Sequence, residues 1–449
     1  MLAVVALAWL MLTGLGLVHR FLPSARNIEK LGLAFPLSAG LHGALFFVLM
    51  QGWKASVFWT CALTSPLLIV CCRIPFRKLV IISWKELLLV LWISVAGLQV
   101  FAHVVISPVV EWDALAMWIF KGKAIAIDGW ISPQFLNWAR HFQASYPWNV
   151  PMMHAWVARF TGHFSENATV WIYMIYFLSM LMILYSLARL YFARAASLLF
   201  IALYTAIPST VSITFNRDAD MILGSLIAAA MLLILRHQQR PSRGNCVLLG
   251  LTVFLCCWTK IEGLVFCGLL LLPYLILMHH RSQTPHNGGL VTANLGGCVI
   301  GFIAFFGPKH VFAAATYFAS GMAPFGGFTA ATEKAMGIVW FAGTELMHLR
   351  SWNLLWLLPV ILIILKRDPF SMKWLLLAHV SVYLIVYFVT PLDWRWQMTT
   401  SFHRVLFHTV PVLYAWAVVA CSGDNQTNGP KTLGFAARGE RLGVHTGKA

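Results

Sequence analysis

The chain has 449 residues, of which 60% are hydrophobic and only 10% are Asp, Glu, Lys or Arg, and its formal net charge is +17. A mean hydropathy of +0.77 excludes a soluble globular protein, because so few polar side chains do not cover the apolar surface of a chain this long. The bilayer is then the solvent, and the basic excess reports topology and attraction to anionic lipid head groups, with no nucleic-acid partner implied.

Uncharged runs such as Leu87 to Ile106 and Ala168 to Ala188 match the ~20 residues a helix needs to cross a bilayer. Backbone groups in hydrocarbon must be bonded within their own segment, and the runs lack the alternation of barrel strands, so the expected fold is all-α, a polytopic transmembrane helical bundle. Reading by run length gives about thirteen spans: 1–18, 31–50, 55–72, 87–106, 168–188, 195–215, 218–235, 246–259, 263–278, 290–306, 352–365, 374–391 and 405–421. Several are short, so 11–13 spans are expected. The uncharged stretch 311–332, rich in Gly, Ala and Phe, stays open as a span, a re-entrant segment or a surface segment. The organisation is an N-terminal helical part (1–106), a large outer-face loop with an amphipathic helix (107–167), a transmembrane core with outer loops (168–421) and a disordered cytoplasmic tail (422–449). The first 18 residues lack a basic start and a small-residue cleavage site and read as a retained span. The nine cysteines lie in or at the ends of apolar runs without a CxxC pair, so neither a disulfide framework nor a zinc site is indicated.

Alternating the gaps places 20 of the 32 Lys and Arg on one side with only 5 of the 15 Asp and Glu. By the positive-inside rule that side is cytoplasmic. The cytoplasmic gaps are short and basic, as topology alone requires. The outer gaps are different, because acidic residues gather there although the insertion rule is largely indifferent to them.

The longest outer gap opens with Glu111-Trp112-Asp113 and continues through Lys121, Lys123 and Tyr146-Pro147-Trp148. In extended backbone Glu111 and Asp113 project from one face and could supply a base; alternatively Asp113 caps a surface helix from Ala114 to Ile127. Arg217-Asp218-Ala219-Asp220 stands at the lip of the next outer gap, where an ionisable group needs a partner or a wet cavity. Arg217 is the obvious partner for Asp220. Lys260 and Glu262 occupy a tight turn between two short runs, where an ammonium binds a lipid-linked phosphate strongly unless the two simply pair with each other. The last outer gap gathers Asp393, Trp394, Arg395, Trp396, Thr399, Thr400, Ser401, His403 and Arg404. Guanidinium suits phosphate and indole faces suit sugar C–H surfaces, the alternative being an aromatic belt with basic residues reaching the lipid phosphates.

Glu111-Trp112-Asp113 resembles the modified acidic-x-acidic signature of the GT-C glycosyltransferases, multi-span enzymes that use polyprenyl-phosphate sugars as donors. Trp112-Asp113-Ala114-Leu115 to Trp118 with Lys121 and Lys123, Tyr146-Pro147, Ala219-Asp220, Thr259-Lys260-Ile261-Glu262-Gly263, and Thr400-Ser401 before His403-Arg404 are similar, in that order, to motifs of bacterial members such as protein mannosyltransferases and aminoarabinose transferases. The resemblance covers most of residues 107–411. Three spans precede the one leading into the acidic loop, whereas many members place that loop after their first.

The resemblance implies an inverting transfer from a polyprenyl-phosphate sugar to a lipid or glycan acceptor, facing the periplasm or exterior of a bacterial inner membrane. It implies Asp113 as catalytic base with Glu111 as substitute or orienting partner. Lys260 and Arg404, with His403 and Lys123, become the donor-phosphate residues. Asp218, Asp220, Glu262, Tyr146, Asp393 and Arg395 become substrate contacts. Some relatives use a divalent metal, Mg or Mn, and a lone acidic pair does not decide it. The rival from another class is a transporter or flippase for a lipid-linked or small anionic solute, which would place its groups near mid-membrane on broken helices. Here they gather at one lip.

Overall fold

The computed structural model describes residues 2–50, 56–74, 83–109, 111–129, 146–282, 286–306, 328–364, 372–390 and 392–422. Of the stretch 311–332, residues 311–327 lie outside these and 328–332 open the helix Phe328–Leu346; the tail 423–449 also lies outside, so the expectations made for the undescribed residues rest on sequence. The described residues form helices and turns with no strand among them. Nine of the described helices are long and apolar enough to cross a membrane, or ten if one bent pair counts as a single span.

Some expected spans are not single helices. The run 55–72 is two short pieces, Ser56–Thr64 and Pro66–Cys71, with Pro66 opening the second. The run 195–215 is broken at Pro208 into Arg194–Thr205 and Pro208–Asn216, which meet at 65°, because proline supplies no N–H to the preceding turn. From 352–365 only Leu357–Ile364 forms a helix of any length.

Burial sorts the long helices by place. Ala219–Gln239 is buried from Ala219 to His237 and runs through the centre, packed on Glu166–Ala188, Arg243–Thr259 and Trp394–Cys421. Trp84–Ile106 lies at the rim, with Leu87, Leu88, Leu91, Trp92, Val95 and Leu98 all exposed. In water such a face is untenable; in lipid it is the solvated one. The second half of the core is drawn together by small residues. On Asn287–Phe306, Gly297 and Gly301 form a G-x-x-x-G face, and a Cβ at either would collide with the Arg243–Thr259 helix, at the Gly250 carbonyl and at Cys257. Close backbone approach of this kind is how helices adhere in a bilayer, where burial of apolar surface gives no advantage.

The gaps assigned to one side in the sequence meet at one end of the bundle. Glu29 pairs with Arg236 at 2.7 Å, Arg26 donates to the Arg189 carbonyl, Gln239 to the Leu190 carbonyl, and Glu86 pairs with Arg194. The Ala219–Gln239 helix carries Arg236 at that end and Asp220 at the other, ~24 Å away at 1.5 Å per residue. The acidic gaps converge around Asp220.

Candidate active site

The first element of the site is the outer-loop helix. Trp112 opens it, Asp113–Ile119 is π-helical, and Phe120–Asp128 continues as α-helix to Gly129, which ends it in the left-handed conformation. The helix expected over 114–127 is therefore present, but the Asp113 side chain does not cap it. Its carboxylate accepts a hydrogen bond from Arg404 Nη1. A π-turn widens the helix by one residue, is rare, and is found mostly at functional sites. A second π-helical stretch, Val265–Leu271, follows the Lys260 turn.

Asp218 and Asp220 come from the start of the central helix. Asp218 is its N-cap, accepting from the Asp220 N–H at 2.9 Å, and its other oxygen lies 3.1 Å from Arg404 Nη2. Asp220 is fully buried and doubly held: Oδ2 lies 2.7 Å from Arg404 Nε and Oδ1 2.5 Å from Lys260 Nζ. Arg217, the partner expected for Asp220, is turned away. It adopts a left-handed backbone (φ 59°), costing about 1–2 kcal/mol for a non-glycine residue, and its guanidinium bonds the carbonyls of Val104 and Ser107.

Lys260 is the single extended residue between Arg243–Thr259 and Ile261–Arg281. Gly263 allows the turn, since a Cβ there would run into the Cys256 carbonyl. The Lys260 ammonium also lies 3.2 Å from Glu262 Oε1, so the pairing of these two and the contact with Asp220 coexist. Burial works against its charge, but Asp220 and Glu262 outweigh it and hold Lys260 above its ordinary value. Asn149, at the start of Asn149–Thr161, donates to Thr259 Oγ at 2.7 Å and ties the outer loop to this turn.

Arg404 thus aims each of its three guanidinium nitrogens at a different aspartate, while Lys260 joins Asp220 to Glu262. The four carboxyls outnumber the two fixed cations. Burial raises Asp218, with Arg404 opposing and Asp220 reinforcing the shift; even with a proton there, the group holds one more negative than positive charge. Tyr146 flanks it, half-buried and edge-on to Trp118 at 5.6 Å between ring centroids, its hydroxyl raised by burial and then by Glu262.

The remaining candidates separate. His403 is half-buried and close enough to Arg404, Glu345, Asp220 and Glu111 to feel their charges. Glu111 is exposed at the edge, its carbonyl accepting from Leu115 N. Lys123 stands apart: it is exposed, with its ammonium 5.8 Å above the Phe164 ring. Helical periodicity turns the buried position to Lys121, whose Nζ lies 5.5 Å from the Trp148 ring and which burial pushes down to about 7. Asp393 and Arg395 stand apart as well. Asp393 is the N-cap of Trp394–Cys421, accepting from Trp396 N at 2.9 Å, and Arg395 stacks over Trp394 at 5.2 Å; both are exposed.

His408, Tyr383 and His379 stand behind Asp220 and went unread in the sequence. The signal was one helical turn: Arg404 and His408, like His379 and Tyr383, are spaced i,i+4. Among the described residues no group of three or more His, Cys, Asp or Glu is arranged to hold a metal ion, and the aspartate oxygens are already turned to Arg404 and Lys260. This donor set does not fit a divalent cation.

An all-helical bundle with a lipid-facing rim and a dense ionic cluster at one end defines an integral membrane protein of the multi-span kind. Residues 149–306 match a family model described as dolichyl-phosphate-mannose-protein mannosyltransferase. Over these residues, about a third of the chain, the sequence is similar to that glycosyltransferase family. Asp218, Asp220, Lys260 and Glu262 fall inside the match; Asp113 and Arg404 are joined to it by the contacts above. No curated protein and no solved structure matches the chain.

Proposed function

We propose that the chain transfers a sugar, with inversion, from a polyprenyl-phosphate donor to a lipid or glycan acceptor at the outer, periplasmic face of a bacterial-type inner membrane. The observation that carries this reading is the meeting of Asp113 with Arg404 and Lys260 around Asp220. A carboxylate from the loop helix and two cations from distant helices thereby stand within reach of a single sugar phosphate. The description of the matching family, a mannosyltransferase working from a dolichyl phosphate, supports a lipid-phosphate donor.

Asp113 takes the proton of the acceptor hydroxyl as that oxygen attacks the anomeric carbon; a positioned base of this kind contributes ~10²–10⁴-fold. Its side chain is 27% exposed, open to an incoming group. Lys260 and Arg404 hold the donor phosphate and offset the charge that grows on it as the glycosidic bond breaks. Glu111 and His403 stand at the edge of the site as orienting groups, and Tyr146 and Glu262 flank the sugar. Since Asp113 and Arg404 are in direct contact, the arriving donor parts them. No step is routed through a metal ion.

The test is mass spectrometry of glycolipids extracted from cells making the wild-type chain or the Asp113→Asn variant. A glycolipid that accumulates only with the wild type, with a matching rise of unused donor in the variant, supports the reading. Identical glycolipids in both strains would contradict it.

A further inference from the structure

Asp220 Oδ1 has two nitrogens beside it, Lys260 Nζ at 2.5 Å and His408 Nε2 at 2.8 Å. Only the lysine makes a well-directed hydrogen bond. His408 Nε2 is fully buried and, despite the short separation, lies off the line of a hydrogen bond to any partner. A buried polar atom left so is unfavourable unless another state of the site uses it.

Behind it runs a short polar chain through the apolar interior. His408 Nδ1 lies 3.3 Å from Tyr383 OH, and the same hydroxyl lies 3.1 Å from His379 Nε2. A tyrosine hydroxyl can donate to a ring nitrogen or accept from it, so Tyr383 suits either protonation state of His408.

The ionisable groups facing His408 are few. Asp220 comes from the central helix, with Lys260 on the same oxygen; Tyr383 and His379 come from Met372–Val389; Arg404, carrying Asp113 and Asp218, stands one turn earlier on its own helix. Of the other helices packed on Trp394–Cys421, Pro208–Asn216 and Leu357–Ile364 hold no ionisable side chain. Glu166–Ala188 adds Glu166 in its first turn and three tyrosines, and Phe328–Leu346 adds Glu333, Lys334 and Glu345, of which Glu345 acts on His403.

A phosphate that draws Lys260 to itself strips Oδ1 of its cation, in a site where carboxyls already outnumber cations. Leaving a buried carboxylate without its partner is strongly unfavourable. We propose that donor binding hands Asp220 Oδ1 from Lys260 to His408, which takes up one proton from solvent and becomes the counter-charge that keeps Asp220 and Arg404 in place. His408 is thus a positioning residue, braced by Tyr383 and His379. The donor phosphodiester keeps its single charge throughout, and the proton leaves when Lys260 returns. This rests on the reading of Lys260 as a phosphate ligand.

The test is calorimetric titration of the full chain in detergent with farnesyl methyl phosphodiester, which has one fixed negative charge and no proton to exchange near neutral pH. Titrations in two buffers of different ionisation enthalpy count the protons taken up. The wild type is expected to take up about one proton per diester, with affinity falling about tenfold per pH unit, and His408→Gln to bind with uptake near zero. Binding without uptake in the wild type overturns the proposal, as does uptake that persists in His408→Gln or is abolished by Asp218→Asn instead. Should His408→Gln not fold, Tyr383→Phe removes one hydroxyl only and must shift the pH dependence of binding; an unchanged profile is equally fatal. Failure of the diester to bind the wild type at all is a different result, which removes the phosphate site and this proposal together.

Discussion

Arg404 reaches three aspartates from one planar fork, a task for which lysine has the charge but not the geometry. Replacing Arg404 with Lys leaves at least one buried carboxylate without its partner, and breaking such a pair costs roughly 3–5 kcal/mol. The variant is therefore expected to melt lower in detergent and to lose transfer, in thermal unfolding and glycolipid assays; a variant as stable and active as wild type would show that the fork is not needed. At this scale the sequence pointed to Asp113, Asp220, Lys260 and Arg404 because charge is scarce in an apolar chain and stands out where it occurs. It paired Lys260 with Glu262 rightly but Asp220 with the wrong cation. Arg217 is the nearest cation to Asp220 along the chain, yet its backbone turns left-handed and the side chain bonds helix-end carbonyls, so proximity in sequence was a poor guide across a helix start. His408 went unread because a lone histidine in an apolar run reads as core until its neighbours in space are known.

The Lys260 turn shows what a whole element adds to single residues. Two helices meet with one extended residue between them, and Gly263 packs its backbone against the Cys256 carbonyl. Gly263→Ala is expected to force the turn open and withdraw Lys260 from Asp220, seen as weaker binding of a phosphodiester probe with the secondary structure retained by circular dichroism. Unchanged binding would mean that the turn does not set the lysine. The tightness of this turn was legible from the shortness of the flanking runs. The two π-helical stretches were not, because a π-turn differs from an α-turn by one residue of register, which hydropathy does not resolve. The break at Pro208 was legible in its cause, though not in its 65° angle.

Across the molecule, the gaps that the positive-inside rule groups together are the ones the fold ties together. Glu29, Arg26, Glu86 and Arg194, Arg236 and Gln239 interlock at one end, and the aspartates with Lys260 and Arg404 interlock at the other. A count of charges along the chain therefore carried real three-dimensional information, since each span delivers its two ends to opposite faces. Which end faces outward is a matter for labelling. With the exposed Cys72 and Cys421 replaced, Thr399→Cys should react with a membrane-impermeant thiol reagent on intact cells, and Arg240→Cys only after permeabilisation. The reverse pattern would put the site on the cytoplasmic side.

The central claim, that the cluster around Asp220 performs glycosyl transfer, is met most directly by single-turnover transfer in proteoliposomes loaded with a polyprenyl-phosphate sugar and a lipid acceptor extract, comparing wild type with Asp113→Asn. The account predicts transfer by the wild type, a fall of ~10²-fold or more in the variant, and binding of the phosphodiester probe retained by the variant. Equal rates in the two proteins, with the donor consumed by each, would contradict it.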